Sequence, residues 1–185
     1  MTLGMIILGR QGSGKGTQAV RIAERFGIIH ISTGDMLRAA VEEGTELGFK
    51  AKSIMDAGEL VTDDVINGIV EERLKKEDVL HSGFLLDGYP RTVGQATELK
   101  KLAAENLKLA INLEVSIEEV TQRMLSRGRQ DDTPEAIARR LELYEAETSP
   151  LIEWFDKENI LCVINGSGSE NEVYERVISE IEKSI

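Results

Sequence analysis

Short apolar runs alternate with longer amphipathic stretches along this chain of 185 residues. Apolar runs of about four to eight residues, bounded by polar positions, are typical of strands that are buried on both faces of a parallel sheet. Strands that alternate with helices predict an α/β fold with a doubly wound, five-stranded parallel sheet. The five runs are MIILG, IIHIS, GFLLD, LAINLEV and ILCVING.

The amphipathic stretches between these runs predict helices. Ser116 and Ser169 each stand three residues before a glutamate, as in a capping box, and Pro134 suits a first helical position. The stretch 34–61 holds two helices without a strand between them, which predicts a helical insertion between the second and third strands. The predicted helices cover residues 15–26, 34–43, 47–57, 63–76, 93–105, 117–127, 134–158 and 170–183.

The same patterns predict which side chains are buried. On the long helix 134–158, the apolar residues from Ile137 onward form one stripe at helical spacing. At about 100° per residue, Arg140 lies about 60° from Ile137 and Arg139 about 200° from it. We therefore expect Arg140 to reach a cleft and Arg139 to point into solvent. The core of the central sheet is predicted to contain Leu3, Ile6, Ile7, Leu8, Phe84, Leu85, Leu86, Ile111, Leu113, Val163 and Ile164.

The segment GRQGSGKGTQ, residues 9–18, joins the first predicted strand to the first predicted helix. Its glycines let backbone N–H groups turn towards an anion, and the first turn of the helix adds its positive dipole end. Lys15 supplies a mobile charge to the outer phosphates. A turn that is merely flexible would not require lysine and threonine here, so the segment predicts a nucleoside triphosphate site. Because Gly16 intervenes before Thr17, a direct hydroxyl ligand to Mg²⁺ is not expected.

The segment LLDGYPRT, residues 85–92, ends the third predicted strand on a carboxylate. A carboxylate at the end of a buried strand is costly unless it meets a cation or hydrogen-bond donors, which favours a role for Asp87 near Mg²⁺. The alternative is a helix or turn cap. It is less favoured because Gly88, Pro90 and Arg91 follow at once and place a guanidinium at the same sheet edge.

Charge and cysteine content narrow the possible partners. The 33 acidic and 22 basic residues give a net charge of −11, which argues against nonspecific binding to nucleic acid or to an anionic membrane. An anionic substrate must therefore be attracted by local positive charge. The apolar runs are too short to span a membrane, so a cytoplasmic protein is expected. Cys162 is expected to be a buried thiol, and no zinc site is expected because His30 and His81 lack ligand spacing.

The segments GRQGSGKGTQ, STGDMLR and DGYPRT, in this order and spacing, resemble the adenylate kinase family, which interconverts ATP plus AMP with two ADP. The resemblance continues to the C-terminus and implies a nucleoside monophosphate kinase fold of the P-loop type over residues 1–185. It implies an AMP-binding helical insertion at 32–61 and a short lid at 127–133. It further implies ATP, AMP and ADP as substrates, Mg²⁺ with ATP, no zinc, and a monomer.

The resemblance also assigns roles to individual residues. Implied ATP contacts are Gly12, Ser13, Gly14, Lys15, Gly16, Thr17, Arg123, Arg127 and Gly168. Implied AMP contacts are Thr33, Gly34, Arg38, Glu59, Leu60, Val61, Gly88, Tyr89, Pro90, Arg91, Gln95, Arg129 and Arg140. Catalytic roles in neutralising phosphate charge fall to Lys15, Arg38, Arg91, Arg123, Arg129 and Arg140. Asp87 is implied to orient the metal through water.

Some of these residues have a simpler alternative. An isolated arginine such as Arg38 is more often a solvated helix charge, but this one lies inside a matching motif. Gln95, whose amide would pair with the adenine of AMP, also fits a capping box with Thr92. Gln11 stands where the family commonly has proline, which loosens the loop but leaves its N–H donors in place.

Rival functions remain within and outside this fold. A pyrimidine monophosphate kinase typically has alanine where Thr33 stands and asparagine near Gln95, so both residues favour AMP. A GTPase switch would need N-K-x-D and D-x-x-G motifs, which the sequence lacks. A noncatalytic nucleotide-binding protein would tolerate loss of the arginines. For the enzyme, we expect the loop 128–132 to close as a small flap while 34–61 swings over AMP.

Overall fold

Five parallel strands form one sheet at the centre of the computed structural model, which describes residues 2–185. The spatial order of the strands is β2-β3-β1-β4-β5, so the predicted doubly wound sheet is confirmed. The strands are β1 (Gly4–Leu8), β2 (Ile29–Ser32), β3 (Phe84–Asp87), β4 (Leu107–Glu114) and β5 (Leu161–Asn165).

Helices cover both faces of this sheet. Alternate residues of β1 point to opposite faces, with Met5 and Ile7 in one buried cluster and Ile6 and Leu8 in the other. The helices are α1 (Lys15–Phe26), α2 (Thr33–Glu42), α3 (Glu46–Asp56), α4 (Asp63–Leu74), α5 (Glu77–Ser82), α6 (Val93–Ala103), α7 (Ile117–Arg127), α8 (Pro134–Leu143), α9 (Pro150–Lys157) and α10 (Glu170–Ser184).

Two predicted helices differ from those observed. The helix predicted over 63–76 ends at Leu74, and the short helix α5 follows it. The helix predicted over 134–158 is interrupted by a π turn, Tyr144–Thr148, between α8 and α9. Its apolar stripe continues across the interruption, because Tyr144 and Phe155 are both buried.

Hydrogen bonds at the helix starts test the predicted caps. Ser169 and Glu172 form the full capping box at the start of α10. Ser116 caps α7 through the N–H of Glu119, but the Glu119 side chain pairs with Arg123, so the box is incomplete. The serine alone is therefore enough to begin this helix.

The last strand is less buried than its apolar run predicts. Val163 is 48% exposed, and Cys162 is half-buried, so the predictions that place both in the core are wrong. Leu3, which precedes β1, is also half-buried rather than buried. β5 lies at the sheet edge, and its pairing with β4 alone leaves part of it uncovered.

The functional elements meet where the parallel strands end. Ile7 of β1 is in register with Asp87 of β3, and Ser32 of β2 is in register with the same aspartate. The loops that follow these strands therefore leave the sheet side by side, as expected for ligand sites in doubly wound sheets.

Candidate active site

A cleft of about 890 Å³ opens at the carboxyl ends of the strands. Every predicted site residue lines this cleft except Tyr89. Tyr89 is 1% exposed, and its hydroxyl lies 2.7 Å from Oδ1 of Asn67 and 3.2 Å from the carbonyl oxygen of Gln95. It packs behind the cleft wall, so its side chain supports the site from the core.

The glycine-rich loop has the backbone shape that an anion cradle needs. Gly12 and Gly14 have φ of 85° and 93°, which side chains with a Cβ rarely adopt. A Cβ on Gly12 would also lie 2.7 Å from the carbonyl oxygen of Val120. The buried Oγ of Ser13 has no hydrogen-bond partner among residues 2–185, so the loop offers an unused polar group.

Lys15 folds back over this loop. Its Nζ donates to the carbonyl oxygens of Gly9 and Arg10 at 2.7 and 2.9 Å. The pKa of Lys15 is lowered to about 8, mainly by burial and in part by the nearby arginines, while the charge of Asp87 opposes the shift. The ammonium is thus poorly solvated, and bound phosphate would stabilise its charged form.

Asp87 lies in the cleft beside the start of α1. Its Oδ2 lies 3.7 Å from Nε2 of His30, a residue of β2 that the sequence patterns did not assign to the site. No cluster of three or more histidine, cysteine, aspartate or glutamate side chains suited to a metal exists within the described residues. A single carboxylate nevertheless fits Mg²⁺, which is commonly held by one or two carboxylates together with substrate phosphates and water.

Arg91 is held from several sides in the middle of the cleft. Its side-chain Nε donates to the carbonyl oxygen of Gly88 at 2.8 Å, and its backbone N–H donates to Oε1 of Gln95 at 2.7 Å. Burial lowers its pKa from the usual value, which the charge of Asp87 opposes. Neither terminal guanidinium nitrogen donates to another residue within 2–185, so both are available to a phosphate group.

Gln95 is occupied within the protein. Its Nε2 donates to Oδ1 of Asp63 at 2.7 Å, in addition to the bond that its Oε1 accepts from Arg91. Thr92 caps α6 through the N–H of Gln95, but the Gln95 side chain does not return to Thr92, so the alternative of a full capping box fails. Gln95 still lines the cleft, at 2% exposure.

Acidic side chains of the α7–α8 connection pair with the cleft arginines. Arg140 donates to Asp131, to Asp132 at 2.7 Å, and to the carbonyl oxygen of Met55 at 3.1 Å. Burial raises the pKa of Asp132, but hydrogen bonds and charge from Arg127 and Arg140 outweigh it and hold that pKa below its usual value. The prediction that Arg140 reaches the cleft is confirmed.

The other cleft arginines differ in how they are held. Arg123 pairs with Glu119 and donates to the carbonyl oxygen of Ser13 at 3.3 Å, which brings it against the loop. Arg38 pairs with Asp35. Arg129 is exposed at the mouth of the cleft, and it makes no side-chain hydrogen bond within residues 2–185.

Arg139 does not simply point into solvent. Its Nε donates to Oε1 of Glu59 at 2.7 Å, and its Nη1 donates to Oε2 of Glu142 at 2.7 Å. Because Glu59 belongs to the segment that follows α3, this half-exposed ion pair links that segment to α8. Because its side chain is 38% exposed and lies outside the cleft lining, the prediction that Arg139 points to solvent is confirmed, although the sequence did not predict these ion pairs.

Comparison with known proteins agrees with this geometry. The family model described as "Adenylate kinase" matches residues 7–160. An adenylate kinase of Stenotrophomonas maltophilia (strain K279a) is 45% identical over 184 residues, which cover 96% of this chain and 98% of that protein. The chain belongs to the adenylate kinase family. An adenylate kinase of Corynebacterium aurimucosum is 49% identical over 181 residues, or 96% of this chain and 98% of that relative.

One adenylate kinase relative is longer than this chain. The protein of Thermodesulfovibrio yellowstonii is 41% identical in an alignment of 213 positions, more than the 185 residues present here. That relative therefore carries residues that this chain lacks. In this member of the adenylate kinase family, only residues 128–133 connect α7 to α8.

The sequence patterns did not predict His30 and Asp131, which line the cleft, or Asp132, which pairs with Arg140. The signal for His30 was available in principle, because it lies two residues before Ser32 on β2 and so shares its face of the strand. Asp131 and Asp132 carried no such signal. Only the fold brings the α7–α8 connection against Arg140.

Proposed function

We propose that this chain catalyses direct, reversible transfer of the γ-phosphoryl group of ATP to AMP, giving two ADP. One observation carries the proposal. Cations from distant parts of a chain with a net charge of −11 line one cleft beside the glycine-rich loop. They are Lys15, Arg38, Arg91, Arg123, Arg129 and Arg140. Two bound diphosphates carry roughly six negative charges, which these cations match.

The chemistry is a displacement at phosphorus that needs no covalent enzyme intermediate. An oxygen of the AMP phosphate forms a bond to the γ-phosphorus as the bond from that phosphorus to the β-phosphate oxygen of ATP breaks. Lys15 and the N–H groups of the loop hold the ATP phosphates. Arg91 and its neighbouring arginines neutralise the charge that spreads over the moving group, in a site prepared before the substrates arrive.

Mg²⁺ is the cofactor we propose, with Asp87 as the residue that would hold it through water. When bound, the ion would neutralise phosphate charge. Asp87 fits this role because its carboxylate is next to the start of α1, with Oδ2 3.5 Å from where a Cβ on Gly16 would lie. Gly16 leaves this space open between the loop and the carboxylate.

We assign the two nucleotides to the two halves of the cleft. ATP lies on the loop and the α7 arginines, with Gly168 beside its base. AMP lies against the helical insertion 32–61, which holds Arg38 and ends in Glu59, Leu60 and Val61. The segment 127–133 forms a short lid within a single domain, residues 1–185.

An assay of phosphoryl acceptors tests the proposed function. Purified protein is given Mg·ATP with AMP, CMP, UMP or GMP separately, and ADP formation is coupled to a spectroscopic signal. We expect rapid turnover with AMP as acceptor and not with CMP, UMP or GMP. Turnover with UMP or CMP instead would favour a pyrimidine monophosphate kinase, and nucleotide binding without turnover would favour a noncatalytic protein.

A matched pair of arginine variants tests the cleft assignment. R91A is expected to lower turnover by roughly a hundredfold or more, because it removes a charge aimed at the transferring group. R73A is the control, since Arg73 pairs with Asp78 outside the cleft. Near wild-type turnover in R91A, at an unchanged melting temperature, would refute the role of Arg91.

We further propose a cytoplasmic monomer that binds neither nucleic acid nor membranes. The net charge of −11 supports this, since nucleic acid and anionic lipid surfaces repel such a chain. No helix within residues 2–185 combines the length and apolarity needed to cross a membrane. Light scattering after size exclusion should give the mass of one chain, and a dimer mass would contradict the proposal.

A further inference from the structure

The π turn Tyr144–Thr148 interrupts a helix that the apolar pattern predicts as continuous. Its defining bond runs from the N–H of Ser149 to the carbonyl oxygen of Tyr144 at 2.7 Å. Interruptions of this kind are rare and are frequently found at functional sites. The contacts of its side chains indicate what this turn does.

Two side chains of the turn reach phosphate-binding elements. The carboxylate of Glu145 accepts hydrogen bonds from Nε and Nη2 of Arg10, in the glycine-rich loop, at 2.8 and 2.6 Å. The hydroxyl of Thr148 donates to the carbonyl oxygen of Arg91 at 2.8 Å. Thr148 is 7% exposed, so this second bond is shielded from water.

The π turn changes which face of the helix Thr148 occupies. In an α-helix, each step of four residues overshoots a full turn by about 40°, so Thr148 would lie about 80° away from Arg140. A π turn closes its hydrogen bonds over five residues, so the step from Tyr144 to Thr148 does not overshoot. Arg140, Tyr144 and Thr148 accordingly all line the cleft.

The bond from Thr148 completes the restraint of Arg91. The N–H of Arg91 is held by Gln95 and its Nε by Gly88, so the peptide groups on both sides of this residue are fixed only when Thr148 holds the carbonyl. The two terminal nitrogens of the guanidinium are left facing the cleft. A small rotation of the peptide at Arg91 would move these nitrogens relative to a phosphate.

We propose that Thr148 is a positioning residue for phosphoryl transfer. It holds the backbone of Arg91 so that the guanidinium meets the transferring group, and the π turn supplies the helix register that this contact requires. The inference rests on the proposed function of the cleft. Since a misplacement of about 1 Å can cost roughly a hundredfold in rate, the loss of this contact acts on turnover.

Three variants of the turn test the role of Thr148. T148V keeps the shape of the side chain and removes the donor, T148S keeps the hydroxyl, and S149A removes a neighbouring hydroxyl that bonds only within the turn, to the carbonyl oxygen of Glu145. We expect T148V to lower kcat by roughly ten- to a hundredfold, with the KM for ATP and for AMP changed less than about threefold. T148S and S149A should both keep kcat within about threefold of wild type. If T148V does not fold, T148A carries the same expectation as T148V.

The outcomes separate this role from a structural one and from the proposed function. An unchanged kcat in T148V, or equal losses in T148S and T148V, would overturn the positioning role. A lower melting temperature in T148V without a change in kcat would show that the hydroxyl serves stability alone and would also overturn it. Absence of wild-type turnover would instead overturn the proposed function.

Discussion

At the scale of single residues, the site holds charge at a cost to stability. Lys15 is bonded to two carbonyl oxygens in a poorly solvated place, and burial brings its pKa from an ordinary 10.5 to about 8. A lysine whose pKa is lower in the folded state binds fewer protons there than in the unfolded chain. The charged lysine therefore destabilises the folded protein by its full amount below pH 8, and this destabilisation is lost as the pH rises to 10.5.

The first prediction follows from this proton count. Between pH 8 and 10.5, the free energy of unfolding of the ligand-free protein should rise relative to that of K15M, by up to about 3 kcal/mol. Urea unfolding of both proteins at several pH values measures the difference, since titrations that the two proteins share cancel. A bound nucleotide should abolish the rise because its phosphates stabilise the charged lysine. Equal pH dependence in wild type and K15M would contradict the prediction.

Prediction from the residues alone succeeded best where a side chain acts through the local backbone. Glycines in the loop have the positive φ that the phosphate cradle requires, and helical spacing alone placed Arg140 at the cleft. It was weakest where partners come from elsewhere in the fold. Neither the pairing of Arg140 with Asp131 nor that of Arg139 with Glu59 could be read from spacing, because both depend on how distant segments pack.

At the scale of elements, local signals fixed the ends of some helices. α1 and α7 begin and end where predicted, because a loop glycine or Ser116 starts each one and Gly27 or Gly128, both with positive φ, ends it. The π turn escaped prediction because it leaves the apolar stripe intact. The position of β5 at the sheet edge escaped as well, because its run is as apolar as that of a central strand.

Two glycines inside helices give the second prediction, with opposite signs. A Cβ on Gly48 of α3 would lie 2.0 Å from the carbonyl oxygen of Ala40, so G48A must push α3 away from α2. We expect the free energy of unfolding to fall by about 1–3 kcal/mol. The KM for AMP should rise several-fold while the KM for ATP stays unchanged, because α2 carries Arg38. Gly68 of α4 has open space around it, so G68A should raise the free energy of unfolding by about 0.5–1 kcal/mol.

Urea unfolding and steady-state kinetics measure both changes. G68A serves as the control because it makes the same chemical change inside a helix without a neighbouring backbone. A G48A protein as stable as wild type would show that α2 and α3 are not packed as described. An equal rise in the KM for ATP would show that the insertion does not act on AMP selectively.

At the scale of the whole molecule, few contacts join the helical insertion to the opposite wall of the cleft. Arg139 pairs with Glu59, and Arg140 donates to the carbonyl oxygen of Met55. Gly58 packs on the backbone of Ala136, where a Cβ would lie only 2.5 Å from its carbonyl oxygen. The Arg139–Glu59 pair is half-exposed and exchanges readily with water or ligand, so it does not hold the insertion firmly against α8.

The third prediction is that substrate replaces internal acid at the cleft arginines. In the free protein, Arg140 is paired with Asp131 and Asp132. The proposed function requires a phosphate group to take their place. With a bisubstrate inhibitor bound, we expect crystals to show Arg140 on phosphate, residues 128–132 folded over the nucleotide and 34–61 closer to α8. The strands should superpose between free and bound crystals. A smaller radius of gyration in solution with inhibitor would agree, whereas unchanged positions of both segments would mean that the arginines bind phosphate in a cleft that is already closed.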